Sequence, residues 1–201
     1  MSDQIFQQLR ALGDYLATRR DEVIRAVRAA AESDPEQTTV SSLTRSQFND
    51  HIPPMLEAFA RALQSPPDGT RAVAAELQRT QQEIKHGLQR WQQGYRLREL
   101  LHEWGHLQQV LFDEIEVFAT ASPAFERATL AEAIRQLIRF INEAVSTSTG
   151  QYARLQQDEA VGHLRDLQRA IAEMKELERR RTELIHQAVH DLRGNVQSVS
   201  S

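Results

Sequence analysis

Two groupings in this 201-residue chain pair histidine with a carboxylate at spacings that could do chemistry. The first is His190-Asp191, followed by Leu192-Arg193-Gly194-Asn195-Val196 close to the end of the sequence. A histidine that accepts a phosphoryl group must be neutral and exposed, with one ring nitrogen held by a partner so that the other attacks the γ-phosphorus of ATP. Asp191 is suited to orient the imidazole of His190 and to stabilise its developing positive charge. The dipeptide alone is common on protein surfaces, so its weight comes from its setting. The second grouping is His102-Glu103-Trp104-Gly105-His106. Two histidines one helical turn apart with a glutamate between them fit the zinc-peptidase arrangement, in which the pair binds metal and the glutamate activates water. A zinc hydrolase is therefore a minor alternative reading. Its third ligand is not evident, since Asp113, Glu114 and Glu116 are candidates only as nearby acids, and the glycine weakens the helix. Packing or surface histidines are the competing account, and no metal ligand is assigned.

The remaining histidines carry less. His86 could ligate haem, with Gly87 allowing close approach, but no pocket or distal group is identifiable. His51, ahead of Ile52-Pro53-Pro54, reads as a helix-end residue, and His163 as a solvated one. His186 lies one turn before His190 but is followed by Gln187, which offers no carboxylate.

The elements that must position these residues are helices. Apolar residues recur at three-and-four spacing almost throughout, glycine and proline are scarce, and no strand stands out. A first helix is expected from about Asp3 to Ala31, stopped by Ser33-Asp34-Pro35. Thr44 should cap a second segment in which Pro53-Pro54 starts a new helix or kinks the old one. After a turn at Ser65-Pro66-Pro67-Asp68-Gly69, a third helix is expected over 71–92, with Gly94 ending it or marking close packing, and a fourth over 95–118. Ser122-Pro123 reads as cap and first residue of the next element. From there one very long helix, or two nearly collinear ones, is expected, with Ser146-Thr147-Ser148-Thr149-Gly150 as a loosening point.

A helix of that length exceeds what a domain of this size can bury, so its distal part should pair with a second copy. Leu164, Leu167, Ile171 and Met174 step by three, four and three; Leu177 follows after three, and Arg181, Leu184 and Ala188 resume four, three and four. The extra three-residue step would overwind a coiled coil locally. It is either a mechanical element or a tolerated irregularity. Glu176-Leu177-Glu178-Arg179-Arg180-Arg181 reads as its charged flank.

Composition sets the outer limits. With 40% apolar residues the chain can bury a core, and 24 basic against 28 acidic residues, a net charge of -4, argue against a nucleic-acid surface. The chain has no cysteine, hence no disulfide or thiolate metal site. Met1-Ser2-Asp3-Gln4 does not open a signal peptide, and no run approaches the ~18 apolar residues of a membrane span. A soluble cytoplasmic protein is expected.

At His190-Asp191-Leu192-Arg193 the sequence resembles the dimerisation and histidine-phosphotransfer helix of two-component sensor kinases. The resemblance implies His190 as phosphoacceptor, Asp191 as acidic helper, a homodimer, and a response-regulator receiver domain as partner. Gly194 stands where that family usually has the threonine or asparagine that positions water for dephosphorylation, and Asn195 replaces its usual proline. Phosphatase activity by that route is not expected.

The segment His86-Gly87-Leu88-Gln89-Arg90-Trp91-Gln92-Gln93-Gly94-Tyr95-Arg96-Leu97-Arg98-Glu99-Leu100-Leu101-His102-Glu103-Trp104 is similar to the helical N-terminal sensor domain of Rsb-type stress-regulator co-antagonists. That similarity would span roughly residues 5–150. It implies a globin-like bundle, generally without haem, that senses an unidentified stimulus. Trp91, Leu97, Leu100, Leu101 and Trp104 are then core or dimer-interface residues.

The expected organisation is an all-α chain: a globin-like helical sensor domain over 1–150, a coiled-coil signalling linker over 151–183, and a truncated phosphotransfer helix over 184–201. The full-length protein would be an ATP-dependent histidine kinase using ATP and Mg. This piece, which carries no nucleotide-binding segment and needs no cofactor of its own, should be inactive alone. A non-enzymatic dimeric interaction module is the alternative.

Overall fold

Three-and-four apolar spacing becomes helix along nearly the whole chain. The computed structural model describes residues 3–44, 47, 48, 52–65 and 70–199, apart from the side chains of 70–78 and 189–199. Among the described residues there are six α-helices and no strand: α1 (Asp3–Thr18), α2 (Arg20–Ser33), α3 (Ile52–Gln64), α4 (Thr70–Gln92), α5 (Leu97–Ala121) and α6 (Arg127–Val199), with a 3-10 turn at Val40–Ser42. The fold is all-α, as the periodicity predicts. No helix among the described residues is long and apolar enough to cross a membrane.

The chain divides into two units, Met1–Leu155 and Gln156–Ser201. In the first, α1 packs on α3, and α2 on α5. Leu9, Leu12, Leu16, Val23, Val27, Phe59, Leu100, Trp104, Leu111, Leu137 and Phe140 fill one continuous core. α6 enters that core through the Phe59–Phe140 ring contact at 5.3 Å and the bond from Tyr152 Oη to the Tyr95 carbonyl at 2.6 Å. In the second unit the helix carries Leu164, Leu167, Ile171, Met174, Leu177 and Leu184 exposed.

Local signals place several boundaries. Thr44 and Gln47 form a reciprocal capping box: the Gln47 amide donates to Thr44 Oγ1 at 3.3 Å and the Thr44 amide to Gln47 Oε1 at 3.0 Å. Pro53 and Pro54 sit in the first turn of α3, where their missing N–H groups cost no helical bond. Gly94, at φ 78°, ends α4 in the left-handed conformation, with its amide bonded to the Trp91 carbonyl and that of Tyr95 to Arg90.

Three boundaries depart from expectation. The single helix over 3–31 is two, broken at Arg19 (φ -91°, ψ 10°). Tyr15 Oη and the Arg19 guanidinium both reach Glu114 of α5, at 2.7 and 3.1 Å, and the break lets α1 and α2 pack on different neighbours. Ser122-Pro123 does not start α6: Ser122 closes α5, and α6 begins at Arg127. Its cap comes from elsewhere, because Gln8 Oε1 of α1 accepts from the Glu126 amide at 3.1 Å and from Thr129 Oγ1 at 2.5 Å. Nor does the 146–150 segment loosen the helix. Ser148 and Thr149 donate their hydroxyls to the Ala144 and Val145 carbonyls, at 2.7 and 2.6 Å, and α6 continues unbroken. His51 and Pro66–Gly69 lie outside the described residues.

Candidate functional site

Helix α5 presents two different chemistries on two faces. Inward, Glu103, 3% exposed, takes a bidentate grip from Arg90 of α4: Nε donates to Oε2 at 2.7 Å, and Nη2 meets Oε1. Arg90, 0% exposed, also donates to the Gln47 and Phe48 carbonyls at 3.2 and 3.1 Å, and its guanidinium lies 4.8 Å from the Tyr95 ring centre. Its charge is thus both paired and hydrogen-bonded, the condition under which a buried ion is tolerated.

His86 lies edge-on to Trp104 with ring centres 5.0 Å apart, and its Nε2 is 3.7 Å from Glu103 Oε2. Trp104 Nε1 donates to Ser148 Oγ of α6 at 2.9 Å. Gly87 allows the close approach of α4 to α6, since a Cβ there would stand 2.3 Å from the Ser148 carbonyl oxygen. The space beside Gly87 is therefore filled by α6 backbone, and His86 is a packed member of the interior network. Tyr95 is buried here, and that burial pushes its phenol well above the ordinary range.

A second set of contacts sews the segment after α2 onto α5. Glu99 accepts from the Thr39 amide at 2.8 Å, from Thr38 Oγ1 and Thr39 Oγ1 at 3.0 Å, and from the Arg96 amide at 2.8 Å. Burial pushes its pKa up, but these donors outweigh it and hold the carboxyl below the usual range. One turn on, His102 Nδ1 and His106 Nε2 both meet Asp34 Oδ2, at 2.8 and 2.9 Å. These bonds, foremost that to His102, together with the Glu36 amide bring Asp34 down to about 2.

A groove by α6 is also charged, but its arginines meet its own acids: Arg79 pairs with Glu143 at 2.5 Å, and Arg135 and Arg139 with Glu132 at 2.8 and 3.4 Å.

The sequence profile of the RsbT co-antagonist protein rsbRD N-terminal domain family matches residues 20–167, well over half of the chain. The chain belongs to this family. No curated protein and no solved structure gives a significant match. The rsbRD N-terminal match takes in Asp34, His86, Arg90, Glu103 and both histidines on the outer face of α5, and it stops short of His190.

Membership in the rsbRD N-terminal family agrees with the helical sensor domain expected from the His86–Trp104 segment. Within that segment Leu100 and Trp104 are core, whereas Leu97 and Leu101 are 39% and 43% exposed. The peptidase-like arrangement does not assemble. His102 and His106 share one face with Asp34 as their partner, while Glu103 is committed to Arg90 in the interior and has no access to a water held by the histidines. Among the described residues the histidines converge on Asp34 rather than on Asp113, Glu114 or Glu116, and Glu114 is taken by Arg19 and Tyr15. Asp34 was missed because it lies 68 residues before His102, with only its place after a helix end to mark it.

The backbone at His190 and Asp191 is helical, and their side chains lie outside the described residues. His163 is exposed beside Glu159, and Arg179 and Arg180 pair with Glu176 at 3.0 and 2.9 Å, the charged flank expected there.

Proposed function

We propose that this chain is the sensory and dimerisation portion of a cytoplasmic two-component histidine kinase, in which His190 takes the γ-phosphoryl group of ATP and passes it to a response-regulator receiver domain. The observation that carries this reading is the uncovered apolar row on the second unit, Leu164, Leu167, Ile171, Met174, Leu177 and Leu184, each more than half exposed on a helix that goes on to His190-Asp191. A row at heptad-like spacing is covered by a second copy in a coiled coil. Phosphorylation forms an N–P bond at one imidazole nitrogen while the bond from the γ-phosphorus to the bridging oxygen breaks and ADP departs. Asp191 holds the other nitrogen and its proton. ATP and Mg come with a catalytic domain, and the stimulus acts on the family bundle.

A second reading draws on the family description, which names a co-antagonist of RsbT. In that reading the bundle is a non-enzymatic module of partner-switching signalling, and the helix only dimerises it. The chain mixed with a separate histidine-kinase catalytic domain and radiolabelled ATP separates the two. Acid-labile label on the chain that disappears in His190→Gln supports the kinase. Label retained equally by that variant, or no label at all, leaves the partner-switching module.

A further inference from the structure

Among the described residues, Asp34, His102 and His106 offer three convergent, accessible donors. Each supplies one ligand atom, and these atoms lie within 4.8 Å of one another. Two imidazoles one helical turn apart on α5 face a carboxylate held at the end of α2, and the side chains are 33%, 23% and 13% exposed for His102, His106 and Asp34. Asp34 is fixed from behind, because its Oδ1 accepts the Glu36 amide at 2.9 Å, leaving Oδ2 for the histidines. Beside them a Cβ at Gly105 would meet nothing within 4 Å, so the face next to the imidazoles is open.

We propose that Asp34 Oδ2, His102 Nδ1 and His106 Nε2 bind a divalent transition-metal ion of the zinc class, clamping the end of α2 to the middle of α5. The donor set is borderline, two neutral nitrogens and one carboxylate oxygen, which suits zinc, cobalt or nickel and is poor for magnesium or calcium. Those nitrogens already converge on one oxygen, so a cation at about 2.0–2.2 Å from each donor replaces two hydrogen bonds through modest side-chain rotations. Each imidazole donates to the Asp34 carboxylate through the nitrogen facing it, so ligation there requires that proton to shift through solvent to the ring's other nitrogen, a change of tautomer with no net release from a neutral ring. Three protein ligands leave a fourth position to water or to an incoming ligand, on the open side next to Gly105. The ion makes no hydrolase here, because Glu103 is turned into the core. Its consequence is mechanical, since it fixes the segment that Glu99 already holds through Thr38 and Thr39. This site stands whether or not His190 accepts phosphate.

The test uses the whole chain, stripped with EDTA and titrated with ZnCl2 by calorimetry and with CoCl2 by visible absorption. One zinc per chain is expected, with d–d bands of a low-symmetry cobalt site and a raised melting temperature. His102→Gln with His106→Gln should abolish both signals, and His163→Gln with His186→Gln and His190→Gln should leave them intact. Asp34→Asn keeps an acceptor for the imidazoles and hence the fold. It should weaken zinc by more than the about tenfold that even loss of an outer-shell partner costs. Should the double histidine variant not fold, Asp34→Asn and the cobalt spectrum decide. The proposal is overturned if no cobalt bands appear, if Asp34→Asn binds zinc as tightly as the parent, or if binding vanishes only with the three distal histidines.

Discussion

The two units bury the same kind of residue in opposite ways. In Met1–Leu155, Leu100 and Leu111 are fully buried by other helices of the same chain, whereas in Gln156–Ser201 Leu164 and Leu184 are 60% and 68% exposed. Both stretches have helical apolar spacing. The difference teaches that spacing creates a demand for cover without saying who supplies it. The bundle meets most of that demand internally, leaving Val117 and Ile138 55% and 45% exposed, and its Arg90–Glu103 interior pair is matched. The distal helix leaves it open, and the dimerisation proposed above rests on that row.

The contrast is broken hardest at the interior pair. Glu103→Gln leaves Arg90 buried and uncompensated, and the bundle should lose about 3–5 kcal/mol in urea unfolding. Replacing both residues, as in Arg90→Met with Glu103→Leu, should restore much of that loss. Next comes Gly87→Ala, whose Cβ collides with Ser148 backbone and should cost about 1–3 kcal/mol by overpacking. At the other pole, Leu167→Ser with Ile171→Ser should leave the bundle within about 0.5 kcal/mol of the parent. The same change should convert a concentration-dependent dimer to monomer in light scattering. A bundle destabilised by it, with the dimer intact, would reverse the comparison.

Acid should separate the units more gently. Asp34 has its carboxyl lowered to about 2, so its contribution is complete above its ordinary value of 3.8 and is lost as pH falls through about 2. Glu99 and Glu114 act in the same direction: burial raises both, but the hydroxyl and amide donors at Glu99 and the Arg19 and Tyr15 bonds at Glu114 depress them further. The bundle's melting temperature should therefore fall between about pH 5 and pH 2, in high salt as in low, since Glu99 is buried and Asp34 and Glu114 are largely so. On the distal helix, Glu176 is depressed by exposed Arg179 and Arg180, and salt should erase that effect.

How far the sequence reached depended on the distance between the residues involved. Thr44 with Gln47 and Gly94 after α4 were legible because a cap is decided within one turn of chain. The start of α6 was misread at Ser122-Pro123 because its cap, Gln8, arrives from a helix 118 residues away. The break at Arg19 had no local sign either, being set by Glu114, 95 residues on.

The histidine pair on α5 marks the boundary between the two kinds of knowledge. By itself the sequence determined that His102 and His106 share a helical face, that helix is the dominant element, and that the distal apolar row needs cover, because all three follow from the 3.6-residue period. Only the tertiary structure decided that Glu103 turns inward to Arg90 and that both histidines meet Asp34. Which helix packs against which face is fixed by burial summed over the whole core, and no window of neighbouring residues contains that sum.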